Sequence, residues 1–164
     1  MASGVVLSLD LGTTTGWCIG HWSDPVPLMG AFTMSDVQGL GYRFAKYHKW
    51  LNRQIDSYDP ERGTFEHIIP RGKKLGLIVP AILHGLAGIT RMVCAERHIP
   101  CDEATPNEIK LWFTGYGRAE KAEMMAECVR RGWNAPGQDA ADATALWAYT
   151  IDQFYPQSRG RHVP

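Results

Sequence analysis

Apolar and polar positions along the chain alternate between two periods. Residues 4–11, GVVLSLDL, form a β-branched apolar run closed by a glycine turn, the pattern of a buried strand. LGTTTG makes the turn and WCIGHW continues as a second strand. Pro25 and Pro27 break the chain, and Leu28 to Met34 reads as a third strand, completing a meander. The period then changes. From Leu40 to Tyr58, Tyr42, Phe44, Ala45, Tyr47, His48, Leu51 and Ile55 form one stripe, while Arg43, Lys46, Lys49 and Arg53 cover the other side, which predicts an amphipathic helix.

GTFEHII, after the turn DPERG, reads as a short strand, and Arg71-Gly72-Lys73-Lys74 as a basic loop. Leu75 to Arg97 is apolar nearly all round, with Pro80 near its start, so this helix is either buried or faces another chain. HIPCDEA predicts one more strand, and helices follow at Asn107 to Phe113, Glu120 to Arg131 and Gln138 to Phe154. A meander followed by mixed strands and helices implies an α/β layered fold in one domain, residues 1–154, with a flexible basic tail over 155–164.

Composition narrows the class. The 164 residues suffice for one real core, and 45% apolar content is ordinary for a soluble domain. No run of about 18 apolar residues occurs, so no membrane span is expected. The N-terminus lacks a secretion signal, and four scattered cysteines without a CxxC pair read as reduced packing residues, so a cytoplasmic location is expected. Formal charge is zero, 17 basic against 17 acidic residues, which by itself argues against a nucleic-acid partner.

Four acids complicate that picture. Asp139 and Asp142 lie three apart in GQDAADATALWAY, where a capping box at a helix start explains both. Asp10 ends the first strand, where a turn cap on Thr13 or Thr14 explains it. Glu66 sits among Phe65, Ile68 and Ile69, where an edge strand with Glu66 facing water explains it. One alternative covers all of them: Asp10, Glu66, Asp139 and Asp142 converge on a pair of divalent cations. Hard ions such as Mg²⁺ take carboxylate oxygens, and two of them roughly 4 Å apart activate a water and stabilise the leaving oxygen of a phosphodiester. Helical spacing of three puts Asp139 and Asp142 on one face. Neutralising four acids leaves 17 positive charges against 13 negative, a net charge of about +4.

LSLDLGTTTGW, GTFEHI, TGYGRAEKAEM and DAADATALWAY occur in an order and spacing that resemble the RuvC-type Holliday junction resolvases, over about residues 4 to 152. The resemblance implies a ribonuclease H-like fold, a mixed sheet with an antiparallel meander plus parallel strands, flanked by helices. It implies a homodimer that cuts four-way DNA junctions symmetrically, leaving a 5′-phosphate and a 3′-hydroxyl, with two Mg²⁺ per site and Mn²⁺ able to substitute. Asp10, Glu66, Asp139 and Asp142 become the metal-binding acids, and Lys121 sits near the scissile phosphate. The helix Leu75 to Arg97 matches the dimer-forming helix. One departure stands out: where the family often carries an aromatic wedge after the strand Glu, this chain has Ile68, Ile69 and Pro70. The departures and the short chain suit a phage or mobile-element relative.

The expected DNA contacts form clusters: Arg71, Lys73 and Lys74 beside Glu66, and Lys110, Arg118 and Lys121 near Thr114. The amides of TGYG offer a phosphate seat, Arg130 and Arg131 a further cluster, and Arg159 and Arg161 a basic tail. Trp17, Trp22, Trp112, Trp133 and Trp147 are expected in the core. Rival readings are an actin-like ATPase or sugar kinase, suggested by DLGTTTG but lacking room for a second domain, a non-catalytic junction-binding protein, and a nuclease of broader branched-DNA range.

Overall fold

The computed structural model describes residues 3–69 and 78–159. The first apolar run is β1 (Val5–Asp10), which pairs antiparallel with β2 (Thr14–His21), itself antiparallel to β3 (Leu28–Thr33). The meander is therefore as expected, except that the second strand starts at Thr14, because Thr14 and Thr15 pair with Thr33 and Phe32. After α1 (Leu40–Tyr58), β4 (Arg62–Glu66) joins the other side of β1 in parallel. Helix α2 (Ile78–Glu96) then leads to β5 (Cys101–Ala104), parallel to β4. The sheet order is β3-β2-β1-β4-β5. Three helices complete the chain: α3 (Pro106–Thr114), α4 (Lys121–Arg130) and α5 (Gln138–Phe154).

Strand alternation sends Leu7, Leu9 and Ile19 into a core with Tyr47, Leu51 and Leu86 of α1 and α2. The opposite face sends Val6 and Cys18 into a second core with α3, α4 and α5, around Trp133 and Trp147. These two tryptophans are fully buried; Trp17, Trp22 and Trp112 are half-buried, packed against the cores. On the α5 side Ser8 Oγ shares a hydrogen bond of 2.7 Å with Thr64 Oγ1, and Thr150 Oγ1 donates to Thr64 at 3.2 Å. This buried chain of hydroxyls ties β1, β4 and α5 together where an unpartnered polar atom would be costly.

Several expected boundaries shift for local reasons. Thr105 and Glu108 form a capping box, so α3 starts at Pro106, and Gly115 ends it in the left-handed conformation at φ 80°. His98 at φ 55° and Pro100 delay β5 until Cys101. Residues 75–77 of the expected long helix lie outside the described residues, and Pro80 sits in the first turn of α2. By length and hydropathy α2 is apolar enough to cross a membrane, which counting consecutive apolar residues did not reveal. Its buried side packs on α1 and β5: Tyr47 Oη hydrogen-bonds Thr90 Oγ1 at 2.8 Å, and the Phe44 ring lies where a Cβ on Gly85 would be. The C-terminal segment, expected to be flexible, begins with a 3₁₀ turn, Pro156–Ser158, that buries Tyr155 and Ser158 against the domain.

Candidate active site

Parallel pairing of β1 with β4 matches Leu9 to Phe65, so Asp10 and Glu66 leave the sheet side by side at its carboxyl end. A strand flanked on both sides by partners is not an edge, and the edge explanation for Glu66 fails. Nor does Asp10 close the turn after β1: Thr15 Oγ1 does, donating to Gly12 O at 2.9 Å. The third simple explanation fails as well. The N-cap of α5 is Gly137, without a side-chain cap bond, and Asp139 and Asp142 lie inside the helix.

What brings α5 to the acids is close packing. Ala140, Ala141 and Ala143 are fully buried. Gly16, paired across β1 and β2 with Asp10, lies so near that a Cβ there would stand 1.9 Å from Asp139 O. Only glycine fits that contact, and nothing in a strand written TTGWC announces it. Gly16 is the positioning residue that sequence reasoning missed.

Asp10, Glu66, Asp139, Asp142, Lys110 and Lys121 line one cavity of about 420 Å³. Ile68, Ile69, Val79 and Leu83 also line it, together with His67 and His84, so the N-terminal half of α2 borders the site as well. Burial raises the Asp10 pKa well above the ordinary range, and the charges of Glu66, Asp142 and Asp139 raise it further against the pull of Lys121. Burial also raises Asp142, while Lys121 and Lys110 oppose the shift and Asp139 adds to it. Lys121 Nζ stands 3.9 Å from Asp139 Oδ1.

The cavity suits hard cations by chemistry, since carboxylate oxygens from three separate elements face one volume. They are gathered rather than closed into a chelate: among the described residues no three acids, histidines or cysteines approach closely enough to hold one ion.

The other expected contacts divide. Thr114 is outside the cavity lining, its Oγ1 donating to Lys110 O at 2.9 Å. Arg118 is exposed in the α3–α4 turn. The TGYG phosphate seat is reduced, because the Gly115 N–H donates to Leu111 O and the Tyr116 N–H to Thr114 Oγ1. Arg130 and Arg131 pair with Glu127, and the Arg131 guanidinium packs on the rings of Phe113, Trp112 and Trp133. The Arg131 side chain is thereby a buried structural contact, while Arg130 stays exposed on α4. Arg159 stands 3.9 Å from Asp152. Arg71, Lys73, Lys74, Pro70 and Arg161 lie outside the described residues.

A sheet of three antiparallel and two parallel strands in this order, with helices on both faces, is the ribonuclease H-like fold. The sequence model described as crossover junction endodeoxyribonuclease RuvC matches residues 13–149, and the chain belongs to that family. The RuvC of Streptomyces avermitilis is 32% identical over 151 residues, 86% of this chain and 83% of its own length. That of Corynebacterium diphtheriae is 36% identical over 110 residues, 65% of this chain and 66% of its own length. Among solved structures, Thermus thermophilus RuvC in complex with Holliday junction substrate aligns with a TM-score of 0.76 at 19% identity, covering 93% of this chain and 94% of the other. The yeast mitochondrial Holliday junction resolvase aligns at 0.65 with 12% identity, covering 96% and 84%.

Proposed function

We propose that this chain is a divalent-metal-dependent endonuclease that resolves four-way DNA junctions by hydrolysing phosphodiesters. One observation carries the reading: carboxylates from β1, β4 and α5 and two lysines line a single cavity at the carboxyl end of the sheet. Asp10, Glu66, Asp139 and Asp142 hold Mg²⁺ or Mn²⁺, two per site. The chemistry such ions supply is activation of a water for in-line attack and stabilisation of the leaving oxygen. Lys121 and Lys110 face the same volume and offset charge on the scissile phosphate.

The chain acts as a homodimer through α2. Ile78 and Met92 are exposed at 66% and 46%, and a Cβ at Gly88 would meet open space. Such an apolar stripe on a helix whose opposite side is buried fits a second copy. Arg71, Lys73, Lys74 and Arg118 add phosphate contacts along the arms, and the enzyme works in the bacterial cytoplasm on host or phage DNA.

The test is incubation of labelled four-way, three-way and linear DNA with Mg²⁺, beside Asp10→Asn and Glu66→Gln. Symmetric cuts of the four-way junction by the wild type alone support the reading. Equal cutting by the variants, or binding without cutting, rejects it in favour of a junction-binding protein. Equal cutting of three-way DNA widens the substrate class to branched DNA generally.

A further inference from the structure

Tyr116 is an aromatic ring left 55% exposed in the turn joining α3 to α4. The other exposed rings have different surroundings. Tyr42 and Tyr58 stand on α1, across the sheet from α5, and Phe154 is covered by the Arg62 guanidinium at 3.8 Å. The turn bearing Tyr116 connects two helices that both line the acid cavity, α3 through Ile109 and Lys110 and α4 through Lys121 and Met124. It folds back on the first turn of α3, where a Cβ at Gly117 would lie 3.5 Å from Asn107 O.

The turn is rigid. Thr114 Oγ1, whose proton goes to Lys110 O at 2.9 Å, accepts the Tyr116 N–H at 3.2 Å, and the Ala119 N–H donates to Tyr116 O at 3.0 Å. A fixed backbone thus holds up a ring that folding leaves in water. Leu111 is 59% exposed, Arg118 is exposed in the same turn, and Lys110 and Lys121 line the acid cavity from the two helices that the turn joins. Two neighbouring acids are engaged locally: Glu108 accepts from Thr105, and Glu123 accepts the Glu120 N–H at 2.7 Å. An exposed ring among cations, on rigid backbone, is what an unpaired nucleobase needs: a face to stack on and charges for the phosphates on either side. In the cavity wall after Glu66, Ile68 and Ile69 are aliphatic, and the one ring there, His67, is engaged with Glu103 at 2.7 Å.

We infer that Tyr116 is a stacking platform for an unpaired nucleobase at the branch point of the DNA, with Lys110, Arg118 and Lys121 holding the adjoining phosphates. The inference rests on the branched-DNA reading above and adds to it the residue that captures the opened base. Sequence preference at the branch point follows from which base unstacks most readily onto the ring.

The experiment uses the full chain and a four-way junction carrying 5-iodouracil at the branch point, irradiated in Ca²⁺ so that binding alone is read. A photocrosslink mapped to Tyr116 by mass spectrometry is expected. Tyr116→Ala should bind the junction about tenfold more weakly and Tyr116→Phe should bind normally, since the ring face and not the hydroxyl does the work. The melting temperature should be unchanged in both, as the side chain is exposed. Wild-type affinity in Tyr116→Ala, a crosslink elsewhere, or a Phe variant as weak as Ala overturns the inference while leaving junction cutting intact. A wild-type chain that binds no junction removes both readings.

Discussion

Helices α2 and α5 are both apolar, and α2 is the more so, yet α5 buries ten of its 17 residues and α2 only six of its 19. Hydropathy therefore does not rank their burial; what each side faces does. Helix α5 lies across β2 and β1 and is packed by α3 and α4, so it is covered on several sides, and Asp139 and Asp142 in its first turns are the exception. Among the described residues, helix α2 packs chiefly on α1 and β5. The lesson is that covering on several sides buries α5 despite its acids, while α2, though more apolar, keeps one side uncovered.

The largest test of that contrast lies in the acids. Asp142→Asn and Asp10→Asn should each lower junction cutting by roughly a thousandfold, the scale for losing a preorganised electrostatic group. Stability should move the other way. An acid whose folded pKa is raised binds more protons folded than unfolded, so its contribution is present below the ordinary carboxylate range and is lost as pH climbs through the raised value. The metal-free wild type should melt progressively lower as pH rises above that range, and the Asn variants should show a flatter pH dependence. A melting series across pH reads this directly, and a parallel decline in the variants would remove the acids as its cause.

Next comes the contact that holds α5 in place. Gly16→Ala should cost about 1–3 kcal/mol in urea unfolding, because the new methyl meets the Asp139 carbonyl and the helix must move. Cutting should fall with it, since Asp139 and Asp142 ride on the displaced turn. A variant of full stability and activity would show that α5 does not need this approach. On the other helix, Met92→Glu should leave the monomer's melting temperature within about 2–4 °C of the wild type. Light scattering should then show dimer giving way to monomer; an unchanged dimer would move the interface off α2. The smallest effect belongs to the hydroxyl chain: Thr150→Val should cost about 1 kcal/mol, read by chemical denaturation.

Much of the fold and of the site is legible in the sequence. The period change from strand to helix locates the elements, because local side-chain alternation is written into the chain itself. The acids stand out by being out of place: Glu66 in an apolar strand and two aspartates on an alanine-rich helix. Three reasonable local explanations for them, a capping box, a turn cap and an edge strand, are each removed by tertiary detail: Gly137 at the cap, Thr15 closing the turn, and β5 covering β4. Arg131 reads as a DNA contact along the chain because charge implies surface, but aromatic rings and Glu127 cover it.

Sequence by itself determined the order and kind of the elements, the family membership and which acids stand out of place, since these rest on short-range pattern and residue type. Only the tertiary structure decided which distant residues meet. Parallel pairing across more than 50 residues sets Asp10 beside Glu66, and a missing Cβ at Gly16 lets α5 close on them. It also decided which side of α2 is uncovered and that Tyr116 stands in water on a rigid turn. Contacts of that kind arise from packing in three dimensions, and a glycine or a tyrosine looks the same along the chain whether or not a neighbour presses against it.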